Sequence, residues 1–156
     1  MRSYKNYVEL NEYLKCAENG DIEGMRRAEG CRNALGIFGY NAYLIGALVR
    51  SPEVMRQARD DGVDVHFIAP SDYNAYLVAS VECPQCMRQA RDDGVNINQQ
   101  SHGLSAVDLA YMVLYYHCVK QAQTDGVVDI HAGLTPVQRL QVIILANERI
   151  LNENRN

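Results

Sequence analysis

The sequence predicts an all-α chain of stacked helix pairs, and three observations lead there. The first is internal repetition. Asn41-Ala42-Tyr43-Leu44 returns as Asn74-Ala75-Tyr76-Leu77, 33 residues later, and Met55 to Val63 returns letter for letter as Met87 to Val95, 32 residues later. A period in this range marks a solenoid of supersecondary units, each burying its apolar side against the next. The second is helical patterning: Val54-Met55-Ala58, Cys86-Met87-Ala90 and Cys118-Val119-Ala122 each fall on one helix face. The third is punctuation. Gly62, Gly94 and Gly126 close those runs where a left-handed residue ends a helix and a Cβ is strained.

The elements follow in register on Ala28, Ala58, Ala90 and Ala122. A shorter helix precedes each of these runs, with Asn11, Asn41, Asn74, Ser105 and Thr135 as N-caps whose side-chain oxygens accept from free backbone N–H groups. Pro136 suits a first helical position, and Ser105 with Asp108 forms a capping-box pattern. Small residues at Cys16-Ala17, Gly46-Ala47 and Ala79-Ser80 predict close approach between helices of neighbouring units. An extended piece follows each glycine: Val63 to His66, Val95 to Asn98 and Val127 to His131. The expected organisation is a single domain over 1–156 with about five helix-turn-helix units, near 8–38, 39–71, 72–102, 103–132 and 133–152. The outer units carry polar residues (Glu9, Glu12, Lys15 and Glu18 at one end, Asn147 to Asn156 at the other), as terminal units need.

The order of cap, short helix, turn, second helix, glycine and finger resembles the ankyrin repeat. Gly62-Val63-Asp64-Val65-His66 and Gly94-Val95-Asn96-Ile97-Asn98 are similar to that family's Gly-Ala-Asp-Val-Asn. Gly103-Leu104-Ser105-Ala106-Val107-Asp108-Leu109-Ala110 and Gly133-Leu134-Thr135-Pro136-Val137 are similar to its Gly-x-Thr-Pro-Leu-His-Leu-Ala, and Ala17 to Glu23 matches its turn into the second helix. The resemblance implies an ankyrin-repeat solenoid with short finger loops. Two departures stand out. Leu14, Leu44, Leu77 and Asp108 replace the family's first-helix His, so its hydrogen-bond network is expected to be missing. Gln57, Gln89 and Gln121 stand where the family carries Leu. Residues 28 to 58 are shorter by comparison, which predicts an irregular first junction.

Composition narrows the function. Apolar residues make up 47% and charged residues 22% of 156, and the net charge of −4 comes without a long basic run, so nucleic acid is not an expected partner. No apolar leader follows Met1, and no apolar run approaches the length that crosses a bilayer. Five scattered cysteines suit a reducing compartment, so a cytoplasmic location is expected, with delivery into a host cell as the variant that an effector would require. No Gly-rich phosphate loop, Gly-x-Ser-x-Gly elbow or His-Glu-x-x-His occurs, and neither an enzyme activity nor a cofactor is expected.

Cys83-Pro84-Gln85-Cys86 is the strongest chemical motif, as a redox pair or half of a metal site. Cys86 nevertheless shares a core position with Val54 and Cys118, and the expected role is a small apolar residue without metal. His66, His102 and His131 lie in or near fingers, but units about 10 Å apart cannot share a metal at Zn–N distances of about 2 Å. Asp60-Asp61 and Asp92-Asp93 read as a solvated charge face offset by Arg56, Arg59, Arg88 and Arg91.

What remains is recognition. By the resemblance, a protein partner meets the concave face and the fingers, here Tyr40, Phe67, Ile68, Tyr73, Glu82, Gln99, Gln100, His102 and Met112. Leu104 and Leu134 precede caps, and Leu48, Val49, Val81 and Val113 end first helices. The expectation is a monomeric adaptor or inhibitor. A host-directed secreted effector of an intracellular microbe and a cysteine-based redox or metal module are the alternatives.

Overall fold

The computed structural model describes residues 12–29 and 31–155. The Asn11 cap and Glu9 lie outside them. Among the described residues the regular structure is helical, with two isolated antiparallel bridges, Ala69 to Tyr73 and Ser101 to Leu104. Residues 12–18 form α1, followed by Ile22–Arg27 (α2), Ala42–Leu48 (α3), Pro52–Asp60 (α4), Ala75–Ala79 (α5), Pro84–Asp92 (α6), Ala106–Met112 (α7), Tyr116–Asp125 (α8) and Pro136–Glu153 (α9). Helices α3 and α4, α5 and α6, and α7 and α8 pack as hairpins. Contacts of α3 with α5, α5 with α7, α4 with α6 and α6 with α8 lay each hairpin against the next. The first junction, 31–41, is irregular apart from the short 3-10 turn Ile37–Gly39.

The helix ends follow the sequence closely. Asn41 and Asn74 accept from the N–H groups of Leu44 and Leu77, and both also donate onward, to the carbonyls of Asp64 and Asn96 at 2.8 Å. Each asparagine thus starts a helix and pins a loop. Ser105 and Asp108 close a reciprocal capping box, as do Thr135 and Gln138, and Pro136 opens α9. Gly62, Gly94 and Gly126 are left-handed, with φ of 84°, 82° and 81°. Just beyond them the N–H groups of Val63, Val95 and Val127 donate to Ala58, Ala90 and Ala122, each at 3.0 Å.

Five expectations about the fold need correction. The pieces after the glycines are folded rather than extended, because Asp64, Asn96 and Asp129 each accept from the N–H two residues on. Gly46 serves the interior of one hairpin and not the contact between units: a Cβ there would stand 2.8 Å from the Met55 amide nitrogen. The segment 133–152 is not a helix-turn-helix. Residues Val137 to Glu153 contain no Gly or Pro, so α9 runs unbroken for 18 residues. Its outer face is not polar either, since Val137, Leu140, Ile144 and Leu151 are exposed along a second stripe beside the buried Ile143 and Ala146.

The largest correction concerns the acidic pairs. Asp60 and Asp92 are solvated, with side chains 63% and 62% exposed, but the Asp93 side chain is only 5% exposed and that of Asp125 is fully buried. The three completely buried tyrosines explain this. The Tyr13 hydroxyl donates to Asp61 at 2.8 Å, Tyr43 to Asp93 at 2.6 Å and Tyr76 to Asp125 at 2.7 Å, each reaching from a first helix to the end of the next unit's second helix. Gln57, Gln89 and Gln121 each donate to the same aspartate four residues on. Arg59 and Arg91 reach forward from the preceding hairpin to Asp93 and Asp125, at 2.7 and 2.5 Å. Arg26, Arg56 and Arg88 in turn hold the glutamine carbonyls, at 2.9, 3.0 and 2.7 Å. A polar ladder therefore runs from hairpin to hairpin, and the glutamines that looked like departures are its rungs.

Burial pushes the Asp93 carboxyl up, but donors from Tyr43, Gln89 and Arg59 outweigh it and hold Asp93 below the usual carboxylate range. Burial and the same bonds push the Tyr43 and Tyr76 phenols well up. Tyr76→Phe leaves the buried Asp125 one donor short and is expected to cost about 1–3 kcal/mol in urea denaturation. Tyr116→Phe, on an exposed ring, is expected to stay within about 0.5 kcal/mol.

Candidate protein-binding surface

The loops before the first helices form a continuous row. Non-glycine residues adopt positive φ at one repeat position in three loops: Phe38 at 57°, Ser71 at 67° and His102 at 51°. The next residues, Gly39, Asp72 and Gly103, are left-handed as well, at 71°, 64° and 75°. Two successive left-handed residues make a tight reversal. The tips touch in order. A Cβ on Gly39 would lie 3.1 Å from Pro70. Ser101 donates to the Ser71 carbonyl at 2.5 Å, and Gln99 to the Asp72 carbonyl at 3.1 Å.

Most of the residues expected to meet a partner lie on this row. Tyr40 and Tyr73 sit just behind the first two tips, half-buried against the core. Burial raises both phenol pKa values, and Tyr73 adds to the rise at Tyr40. Phe38 meets Tyr40 edge-on at 5.7 Å between ring centres, with 65% of its surface exposed. Phe67 is half-buried, Ile68 is half exposed, Gln100 is exposed, and the buried His102 Nε2 lacks a partner among the described residues. Leu104 is buried in the core.

Glu82 and Met112 belong to a second line, at the turns that end the first helices. Glu82 pairs with Arg50 of the preceding hairpin at 3.0 Å, both well exposed. Met112 ends α7 as Leu48 ends α3, each followed by a valine (Val113 and Val49), all partly exposed, and Asn147 of α9 reaches the Met112 sulfur. Phe38, Leu35 and Ile37 escaped notice in the sequence because the first junction breaks the repeat. Their only signal is the spacing of Phe38 from Ser71, which matches the period of 33.

Beyond these loops, Asp108 nucleates a charged knot that fixes α9 on α7. This fully buried carboxylate accepts from Ser105, from Arg139 Nη1 at 2.8 Å and lies 2.9 Å from His131 Nδ1. Arg139 also grips Asp129 through both of its terminal nitrogens and covers the Tyr111 ring at 4.7 Å. Asp108, expected to leave its helix without a side-chain network, instead anchors one in this unit. His131 is consequently a structural residue.

Among the described residues no three His, Cys, Asp or Glu side chains gather as a metal-ligand set, and no helix is long and apolar enough to cross a membrane. No protein-family model matches the sequence, and no curated protein matches it.

Removing one partner of a buried ion pair costs about 3–5 kcal/mol. Arg139→Met is expected to lose an amount in that range by chemical denaturation, with α9 released first. Burial raises the Asp129 carboxyl but the Arg139 hydrogen bonds and the His131 amide prevail, holding it low. Its contribution is therefore present above the unfolded value of about 3.9 and is lost as pH falls through the lower folded value. Asp129→Asn is expected to flatten that acid limb in a series of melting curves.

Proposed function

We propose that this chain is a protein-binding module of the ankyrin type, an adaptor or inhibitor whose stacked hairpins offer the row of loop tips to a protein partner. The observation that carries this reading is the repeated positive-φ tip. A non-glycine residue in the left-handed region costs about 1–2 kcal/mol, and a bulky one such as Phe38 has little in the folded chain to offset it. The ring is mostly exposed, and its aromatic neighbour Tyr40 meets it edge-on. Local strain kept at an exposed aromatic fits a contact made with another molecule. Tyr40 and Tyr73 behind the tips supply large, rigid surfaces of the kind that anchor protein interfaces. The period of 32 to 33 residues, the matching caps and the matching left-handed glycines support the ankyrin reading of the stack.

Two variants test this. The double substitution Tyr40→Ala with Tyr73→Ala is expected to remain folded by circular dichroism yet lose the partner recovered by co-purification with the native chain. Undiminished recovery would move the interface elsewhere. Phe38→Gly is expected to leave the melting temperature unchanged or higher while weakening the same capture, because glycine relieves the left-handed backbone. A lower melting temperature with unaltered capture would make Phe38 a folding residue.

A further inference from the structure

One hairpin differs from the preceding one in its chemistry. At the start of α4 the N-cap is Ser51, followed by Pro52, and Val54 fills the core. At the matching place in α6 the N-cap is Cys83, followed by Pro84, and Cys86 fills the core. Neither replacement is one that the fold requires. Sulfur is a weak acceptor where a hydroxyl already caps well, and valine already fills the core slot one hairpin earlier. Together, though, they bring two thiols into contact. The sulfurs lie 2.6 Å apart, within about half an ångström of a disulfide bond of about 2.05 Å. Cys83 Sγ also accepts from the Cys86 amide at 3.1 Å, at the positive end of a nine-residue helix.

We propose that Cys83 and Cys86 form a peroxide-sensitive dithiol, in which Cys83 is the attacking sulfur and Cys86 resolves the product into an intramolecular disulfide. The Cys83 thiolate attacks one peroxide oxygen, the O–O bond breaks, and hydroxide leaves and takes up the proton that Cys83 released. Cys86 sulfur then attacks the resulting Cys83 sulfenic acid, and its proton departs with the sulfenic oxygen as water. The sum is two thiols and one hydrogen peroxide giving one disulfide and two waters. The division of roles follows from the surroundings. The sulfur-sulfur contact with Cys86, the Cys86 and Gln85 amides and the nearby Arg50 hold the Cys83 thiol below its ordinary value. The bond to Cys83 and burial hold Cys86 far above it. Residue exposure of 4% at Cys83 and none at Cys86 favours the smallest oxidant over a bulky disulfide. Cys118 is buried nearby, with its thiol pushed up to about 12 by burial and by the charge of Cys83, and it stays a thiol.

The native chain is exposed to graded hydrogen peroxide, quenched with an alkylating reagent in denaturant, and mapped by peptide mass. The exposed Cys31 serves as the internal reference. The expected result is a Cys83–Cys86 disulfide formed before Cys31 is consumed, at a rate that titrates below the ordinary thiol range of about 8.5. Cys83→Ser, which copies Ser51, is expected to abolish the disulfide and leave Cys86 reduced. Cys86→Val, which copies Val54, is expected to stop at a Cys83 sulfenic acid trapped by a 1,3-dicarbonyl reagent. Consumption of Cys31 while Cys83 and Cys86 stay reduced in the native chain would overturn the proposal, whatever the variants do.

Discussion

The ladder of buried tyrosine hydroxyls on the aspartates of the following unit is the interaction on which the rest of this structure depends. Apolar packing alone would let short hairpins slide, because Val, Met and Ala side chains are tolerant of register. A hydroxyl that must meet one carboxylate is not. Tyr43 reaches Asp93 and Tyr76 reaches Asp125 at 2.6 and 2.7 Å, and each carboxylate is closed off by its own glutamine and by an arginine from the preceding hairpin. A buried carboxylate short of donors is costly, so the ladder penalises every other stacking register more than it rewards the right one.

That constraint also places the loop row. The caps Asn41 and Asn74 fix the loops after α4 and α6 to the starts of α3 and α5, so a hairpin held in register carries its loop tip to a set place. The tips then touch one another through Gly39, Pro70, Ser71 and Ser101. Rigid placement matters for the proposed function, since aromatic anchors bind best when little motion is lost on contact. At the other end of the chain the ladder gives way to the Asp108 knot. There an arginine from α9, and not a tyrosine, satisfies the buried acid.

Much of this was legible in the sequence. The repeat, the caps at Asn41, Asn74, Ser105 and Thr135, and the three left-handed glycines follow from short-range rules that a linear chain displays. The all-helical class follows with them. The ladder was hidden because its partners are about 50 residues apart, and because Asp-Asp before a glycine looks the same whether one or both acids are solvated. Only their helical phase distinguishes Asp92 from Asp93, and it exposes one side chain and buries the other. The unbroken α9 agrees with the absence of Gly and Pro between Val137 and Glu153. The tips at Phe38 and Ser71 were not, since a phenylalanine or serine gives no sign that its backbone will be left-handed.

Native-state hydrogen exchange of Asp93→Ala tests the coupling between hairpins most directly. If the ladder holds neighbouring units in register, protection falls together in α3, which supplies Tyr43, in α4, which supplies Arg59, and in α6. Loss of protection confined to the last turn of α6, with α3 and α4 exchanging as in the native chain, would contradict it.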